Sequence, residues 1–377
     1  MTTHDVVVVG VGAMGSAATY HLARRGHDVL GLERFDVPHD RGSSAGHTRI
    51  IRLAYHEHPT YVPLVRDAAR RWERLEAETG RDLLFRVGSV TAGDPDDSDG
   101  AFAGALEACD VHDLPHEVLD GEALGERFPG FDLPAEYRAV YQPDGGFLDA
   151  PAGVSAHVEA AVAAGATVRA RERVTGVESR GDGVRVHTDR GHHDADEAVV
   201  AAGAWTETLL PDLSGLVTPE RQVIGRFQPD DPADFAPDRF PPFVIDDADG
   251  LHYGVPIYRA PGLKVGRHHH RAEALSPDDP APGDPTQADE RVVRSAVERY
   301  VPGADGATLA LTTCVYANSP DRDFIVDRLP DRPITVAAGF SGHGYKFASA
   351  MGAVVADLVA GQAPDYDLSP FSLDRFG

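Results

Sequence analysis

Apolar positions along the chain follow two rhythms, one of strands and one of helices. Residues 5–9 are an aspartate followed by four valines, apolar on both faces as a buried parallel strand is. Residues 17–25 read as a helix that Gly26 stops, and residues 28–32 as a second strand closed by Glu33. Leu64, Ala68 and Leu75 share one face of an amphipathic helix over residues 63–79, and residues 151–165 predict an alanine-rich helix. Short strands are expected at residues 88–92 and around Val168, Val177 and Val186, then a buried strand at 197–202 running into Gly203-Ala204-Trp205. Near the end come a strand at 334–338, a glycine-rich turn at 339–344 and a helix to about residue 360. Between these lie polar stretches: a Gly/Ser-rich loop at 40–54, an acidic turn at 94–100, and Pro/Asp-rich surface segments at 229–242 and 276–289.

No internal repeat is present. Strand–turn–helix units at both ends bracket a mixed middle, which predicts an α/β and α+β chain of two domains. A Rossmann-type domain assembled from residues 1–85, 147–217 and 321–377 is expected to bind a nucleotide. Residues 86–146 and 218–320 are expected to form a second domain on a mixed or antiparallel sheet.

The chain has 377 residues and a net charge of -25, which disfavours nucleic acid and anionic membranes as partners. Two lysines stand against 33 arginines, and with the excess of carboxylates this suggests adaptation to high salt. Two cysteines exclude a disulfide scaffold and fit a reducing cytoplasm. No apolar stretch has the length of a membrane helix, and no basic-then-apolar leader is seen, so a cytoplasmic location is expected.

Four segments carry candidate chemistry. Gly10-x-Gly12-x-x-Gly15 follows a strand and opens a helix, with Glu33 placed to accept hydrogen bonds from ribose hydroxyls. That arrangement points to a dinucleotide without separating NAD from FAD. Residues 41–52 contain Arg41, Arg49 and Arg52 and no acid, an island suited to an anion, unless Asp40 and Glu57 neutralise it. Gly339-Phe-Ser-Gly342-His343-Gly344-Tyr345-Lys346 forms a backbone nest, with a lysine where a cation opposes the helix dipole and calls for a compensating partner. Cys314 lies in Thr313-Cys314-Val315-Tyr316, whereas Cys109 reads only as a core thiol. His56-x-His58 and His268-His269-His270 have ligand-like spacing, but no cysteine or carboxylate cluster completes a metal site in the sequence. They read as surface histidines, and no metal is expected.

Thr48-Arg49-Ile50-Ile51-Arg52, Gly262-Leu263-Lys264 through His268, Cys314-x-Tyr316 and Gly339 through Phe347 occur in order along the chain. Together with the N-terminal glycines, this set resembles the flavin-dependent amine oxidases of the monomeric sarcosine oxidase and N-methyltryptophan oxidase type, over nearly the whole chain. The resemblance implies FAD, attached covalently through Cys314, in a site formed by Gly10, Gly12, Met14, Gly15, Glu33, Arg34, Ser43, Thr48, Arg49, Val174, Gly203, Trp205, Gly339, Gly342, His343, Gly344 and Lys346. It implies Lys264, Arg49, His268 and Thr48 as catalytic residues, with Lys264 on the oxygen side of the flavin. Arg52 and Lys346 would clamp a substrate carboxylate, and Tyr253 and Tyr316 would shape the pocket. The implied reaction is oxidation of a small secondary amine, an N-methyl or cyclic amino acid, with O2 reduced to H2O2, by a monomer. Two departures stand out. Ser44-Ala45 takes the place of a family His-His pair, which bears on flavin attachment. Val244 and Val255 stand where larger side chains are common, which predicts a roomier pocket. The alternatives are the same fold acting as a dehydrogenase with another electron acceptor, or a noncatalytic nucleotide-binding module.

Overall fold

The computed structural model describes residues 3–276 and 279–377. The valine run seeds an eight-stranded sheet. Thr3–Val9 lies parallel between Val29–Leu32 and Gly191–Val200, and all four valines are buried. Thr167–Arg169 extends this sheet in parallel on one side and Ile334–Ala338 on the other. Val174–Arg180, Gly183–Thr188 and Ile325–Arg328 join it antiparallel. The helix Ala13–Arg24 packs against Ala150–Ala163 and Ala348–Val359. Small residues set this spacing: a Cβ on Gly352 would come within 2.5 Å of the Ala17 backbone.

The second sheet has nine strands. In order they are Glu273–Ala274, Thr218–Phe227, Leu263–Arg267, Gly250–Val255, Phe243–Asp247, Ser89–Gly93, Arg138–Gln142 and Glu117–Asp120, with Thr308–Asn318 also paired to Thr218–Phe227. Only Phe243–Asp247 beside Ser89–Gly93 is parallel, so the sheet is mixed, as the chain's pattern suggested. Thr48–Ile51, Gly146–Asp149 and Leu84–Arg86 make a third, small sheet.

Several local expectations need correction. The first helix begins at Ala13 rather than residue 17, so Gly15 already lies in its first turn. There a Cβ would sit 1.7 Å from the Gly10 carbonyl oxygen, and helix and strand could not close. The loop at 40–54 holds the strand Thr48–Ile51, paired with Gly146–Asp149 far along the chain. The segment at 229–242 is not simply surface: Phe235 and Phe240 are buried, and Phe240 stacks on Phe131 at 4.4 Å between ring centroids. At 276–289, residues 277 and 278 lie outside the described residues. The helix Gln287–Tyr300 starts within the segment, on a capping box of Thr286 and Asp289, with Asp289 buried.

Candidate active site

One cavity is lined by residues from both large sheets. Every residue that the family resemblance assigns to the site lines it except Gly15, which acts behind the wall as helix packing; Arg41 of the positive island lies outside it, exposed beside Asp40 at 3.5 Å.

The glycine end is built mostly by backbone. Gly10 has φ +87°, and a Cβ there would lie 2.6 Å from the Ala201 carbonyl oxygen. No side chain of the N-cap residue Gly12 caps the helix Ala13–Arg24, although Ala13 N–H donates to Ser44 Oγ at 3.1 Å. The N-terminus can therefore present N–H groups to phosphate. Glu33 accepts Val11 N–H at 2.9 Å and Phe35 N–H at 3.0 Å, which fixes its carboxylate toward the cavity it lines. Burial alone would raise its pKa, but hydrogen bonds from His39, Phe35 and Val11 hold it below the usual carboxylate value. The Trp205 indole N–H is buried without a partner, and Arg34 lies 5.5 Å over the Trp205 ring. An open helix N-terminus, an oriented carboxylate and an unpaired buried donor fit the phosphates, ribose and heterocyclic parts of a dinucleotide.

The other end is a sheet face. Residues opposite one another in an antiparallel pair share a face. Tyr253 pairs with Val244 and Gly266, Val255 with Lys264, and Lys264 with Arg226; on the adjoining pair Cys314 opposes Gln222 and Tyr316 opposes Glu220. This register brings Lys264, Tyr253, Cys314 and Tyr316 to one cavity from strands distant in sequence. Glycine makes the room: a Cβ on Gly266 would meet the Tyr253 hydroxyl at 2.6 Å, and one on Gly342 the Tyr316 ring at 2.2 Å.

Lys264 is buried, and its Nζ donates to the Thr48 carbonyl oxygen at 2.9 Å and to Thr48 Oγ1 at 3.2 Å. Burial, then Arg49 and Arg226, push its pKa well below the ordinary lysine value. Arg49 donates to the carbonyls of Thr48 (2.9 Å), Ser43 (2.8 Å) and Ala45, so it braces the loop that presents Thr48. Burial raises the Cys314 thiol pKa, while Arg49 and Lys264 act the other way.

Lys346 sits in the 3-10 turn Tyr345–Phe347 just before the helix Ala348–Val359. The partner its position called for is the His343 carbonyl, 2.8 Å from Nζ. Its Nζ also lies 5.0 Å from the centroid of the Tyr55 ring, and the Arg52 guanidinium lies 4.6 Å from the same ring. Tyr55 is fully buried, with its hydroxyl 2.6 Å from His343 Nδ1. One aromatic ring thus carries both cations. Arg52 is not free, however: Glu57 binds it through both oxygens, at 2.9 and 2.7 Å. The island of positive charge read from residues 41–52 is therefore neutralised at Arg52, because the chain turns back within five residues. Burial, then Arg52, lower the Lys346 pKa to about 7, with Glu57 opposing.

His268 lines the cavity, its Nδ1 3.3 Å from the Tyr316 hydroxyl. Burial, first of all, pushes its pKa well down, which favours the neutral ring. The reading of the two histidine sets as surface groups holds for His58 and is overturned for the others. His270 is paired with buried Asp289 at 3.0 Å and His269 with Glu220 at 2.9 Å, while the His56 side chain is only 10% exposed. Only His58 is exposed, where it caps the turn Pro59–Tyr61. Among the described residues no group of three or more histidine, cysteine or carboxylate side chains is placed to hold a metal.

Sequence reasoning did not single out Tyr55, Ile224 or Leu251, and saw Glu57 only as a surface neutraliser. Leu251 was recoverable, since it alternates with Tyr253 and Val255 along Gly250–Val255. Tyr55 carried no local signal.

A family model described as FAD dependent oxidoreductase matches residues 5–358. The chain belongs to the FAD-dependent oxidoreductase family. Within it, the chain is 40% identical over 362 residues to a monomeric sarcosine oxidase of Streptomyces avermitilis, covering 94% of this chain and 93% of that one. It is 38% identical over 375 residues to an N-methyl-L-tryptophan oxidase of Yersinia pestis, covering 99% of each. Among solved structures it is similar to NikD, described as an unusual amino acid oxidase essential for nikkomycin biosynthesis. The TM-score is 0.84 at 29% identity, with 99% of this chain and 98% of that one covered. For this FAD-dependent oxidoreductase, the glycine end of the cavity is the part whose geometry fits the cofactor, and the sheet face lies beyond it. No helix among the described residues is long and apolar enough to cross a membrane.

Proposed function

We propose that the chain is an FAD-dependent oxidase of small secondary amines that carry a carboxylate, such as N-methyl or cyclic amino acids. The observation that carries this reading is the pair of cations, Arg52 and Lys346, stacked on the Tyr55 ring in the cavity that Lys264 also lines. When bound, FAD supplies the hydride acceptor and passes the electrons on to O2. The residues do the rest. Lys346, with Arg52 once it exchanges Glu57 for ligand, holds the carboxylate and so fixes the amine and its neighbouring carbon. Two cations in one pocket also favour the neutral amine, the form with a lone pair. Tyr253, Tyr316 and neutral His268 line the amine side, and Val244, Leu251, Val255 and Ile224 supply apolar walls for a side chain larger than hydrogen.

Lys264 is assigned to the oxygen side, where a cation stabilises negative charge as it develops. Cys314 is the proposed covalent attachment point, with Arg49 and Lys264 favouring its thiolate. Gly10, Gly12, Met14, Glu33, Arg34, Ser43, Val174, Gly203, Trp205, Gly339, Gly342, His343 and Gly344 are the proposed cofactor contacts, and Gly15 sets the helix that presents them. We also propose a cofactor domain of residues 1–85, 147–217 and 321–377 and a substrate domain of 86–146 and 218–320. The confinement of the eight-stranded sheet to the first set and the nine-stranded sheet to the second supports it. The protein is expected to act as a cytoplasmic monomer.

The test is anaerobic mixing of the purified yellow protein with the secondary amines sarcosine, N-methyltryptophan, pipecolate and proline, with the tertiary amine dimethylglycine run separately for comparison, followed by admission of O2. Bleaching by at least one of the secondary amines, with peroxide on reoxidation, is expected. Bleaching without peroxide would replace the oxidase with a dehydrogenase, and no bleaching by any of them would overturn the substrate class. Acid precipitation tests the covalent link: yellow colour should remain with the pellet.

A further inference from the structure

A strained turn follows His268. His269, His270 and Ala272 have φ of +59°, +27° and +53°, a region costly for residues with a Cβ, and the turn contains no glycine. Two buried carboxylates hold it. His269 Nδ1 lies 2.9 Å from Glu220 Oε1, and His270 Nε2 lies 3.0 Å from Asp289 Oδ1. Each carboxylate is itself fixed. Glu220 accepts from Gln222 Nε2 at 2.6 Å and Asn318 Nδ2 at 3.0 Å; Asp289 accepts from Arg221 through both oxygens, at 3.1 and 3.0 Å. Glu220 opposes Tyr316 across the sheet, and so stands on the face that meets the cavity. The His269 ring lies 4.1 Å from the His268 ring and edge-on to Tyr316 at 5.8 Å. Backbone strain persists only where the surroundings over-determine it, and it gathers beside sites whose geometry matters.

We propose that Glu220 and His269 are positioning residues for His268 and Tyr316. The Glu220 carboxylate draws His269 into the left-handed conformation, and the His269 ring then forms the wall that sets the His268 ring and the Tyr316 hydroxyl toward the substrate amine. The proposal rests on the assignment of this end of the cavity to substrate. It differs in outcome from a turn that happens to contain histidines. If His269 only completes the turn, glycine, which takes positive φ without the Cβ penalty, would serve at least as well.

The experiment compares wild type, His269→Gly and Glu220→Gln as FAD-loaded enzyme. The readings are Tm, the rate of anaerobic flavin reduction by the best N-methyl or cyclic amino acid, and the rate of reoxidation by O2. For His269→Gly the expected result is an unchanged or raised Tm and reduction slowed by roughly 10–100-fold, the scale of a small misplacement of reacting groups. Reoxidation stays within about twofold, because the Thr48–Lys264 contact is untouched. Glu220→Gln slows reduction in the same direction, and the double variant is no slower than the worse single one, since both act through one contact. Reduction in His269→Gly at the wild-type rate overturns the proposal. If that variant is destabilised, Glu220→Gln decides, and equal slowing of both half-reactions overturns it. A wild type that no such amino acid bleaches overturns the functional reading, and this proposal with it; a bleached wild type matched by its variants overturns this proposal alone.

Discussion

The surroundings of the two lysines, Lys264 and Lys346, invite comparison. Both are buried, and each donates to a backbone carbonyl, Lys264 to that of Thr48 on another strand and Lys346 to that of His343 in its own turn. Lys264 sits on a strand, where burial, then the Arg49 and Arg226 guanidiniums, depress its pKa and Cys314 opposes them. Lys346 sits at a helix start, where burial, then Arg52 and more weakly Arg49, lower its pKa to about 7 with Glu57 opposing them. The first environment is cationic, with only the Cys314 thiol acting against the cations and no carboxylate, a place for negative charge that appears during a reaction. The second has its own carboxylate, already bound to Arg52, and so suits exchange with a carboxylate that arrives and leaves. Similar burial thus produces two different devices, because one has a carboxylate opposing its cations and the other has only a thiol.

Substitutions can break this comparison. Among effects on ligand binding, the largest is expected at the clamp. Lys346→Met should weaken binding of an amino acid analogue by about 10–100-fold, the scale of a charge-assisted hydrogen bond, in a spectral titration of the flavin. Tyr55→Leu removes the ring under both cations and should weaken the same binding by roughly 2–30-fold, the range of a desolvated cation–π contact. Its reoxidation rate should not change, since Lys264 does not rest on that ring.

Smaller effects sharpen the comparison through pH. Below about 7 Lys346 is charged and available; as pH rises through about 7 the charge is lost, and affinity for a carboxylate should fall with it. Lys346→Met should flatten that fall. Glu57→Gln removes the one group that raises the Lys346 pKa, so the midpoint should move to lower pH, by an amount on the order of one unit or less. A midpoint that stays in place would show that Glu57 does not act on Lys346.

What could be read in the sequence followed how local the interaction was. The strand, the glycine turn and Glu33 lie within one continuous unit, so their chemistry was visible there, although the helix start was placed four residues late. The sheet face was not legible from pattern alone. Lys264, Tyr253 and Cys314 meet only through strand register, and their grouping came from family resemblance. The histidine turn shows the same limit, since Glu220 and Asp289 reach it from other elements and change exposed-looking side chains into buried pairs. Phe235 and Phe240 were hidden by the prolines and aspartates around them, which dominate a composition reading but not the packing. Arg52 shows that proximity in sequence is not enough either: Glu57 was noticed, yet only the fold shows that both of its oxygens are engaged.

The central claim, that the two lysines serve different halves of one reaction, is tested most directly by rapid mixing of Lys264→Met, with flavin reduction and reoxidation timed separately. The account predicts reoxidation by O2 slowed by about 10²–10³-fold, with anaerobic reduction within about tenfold of wild type. Equal slowing of the two half-reactions would contradict it.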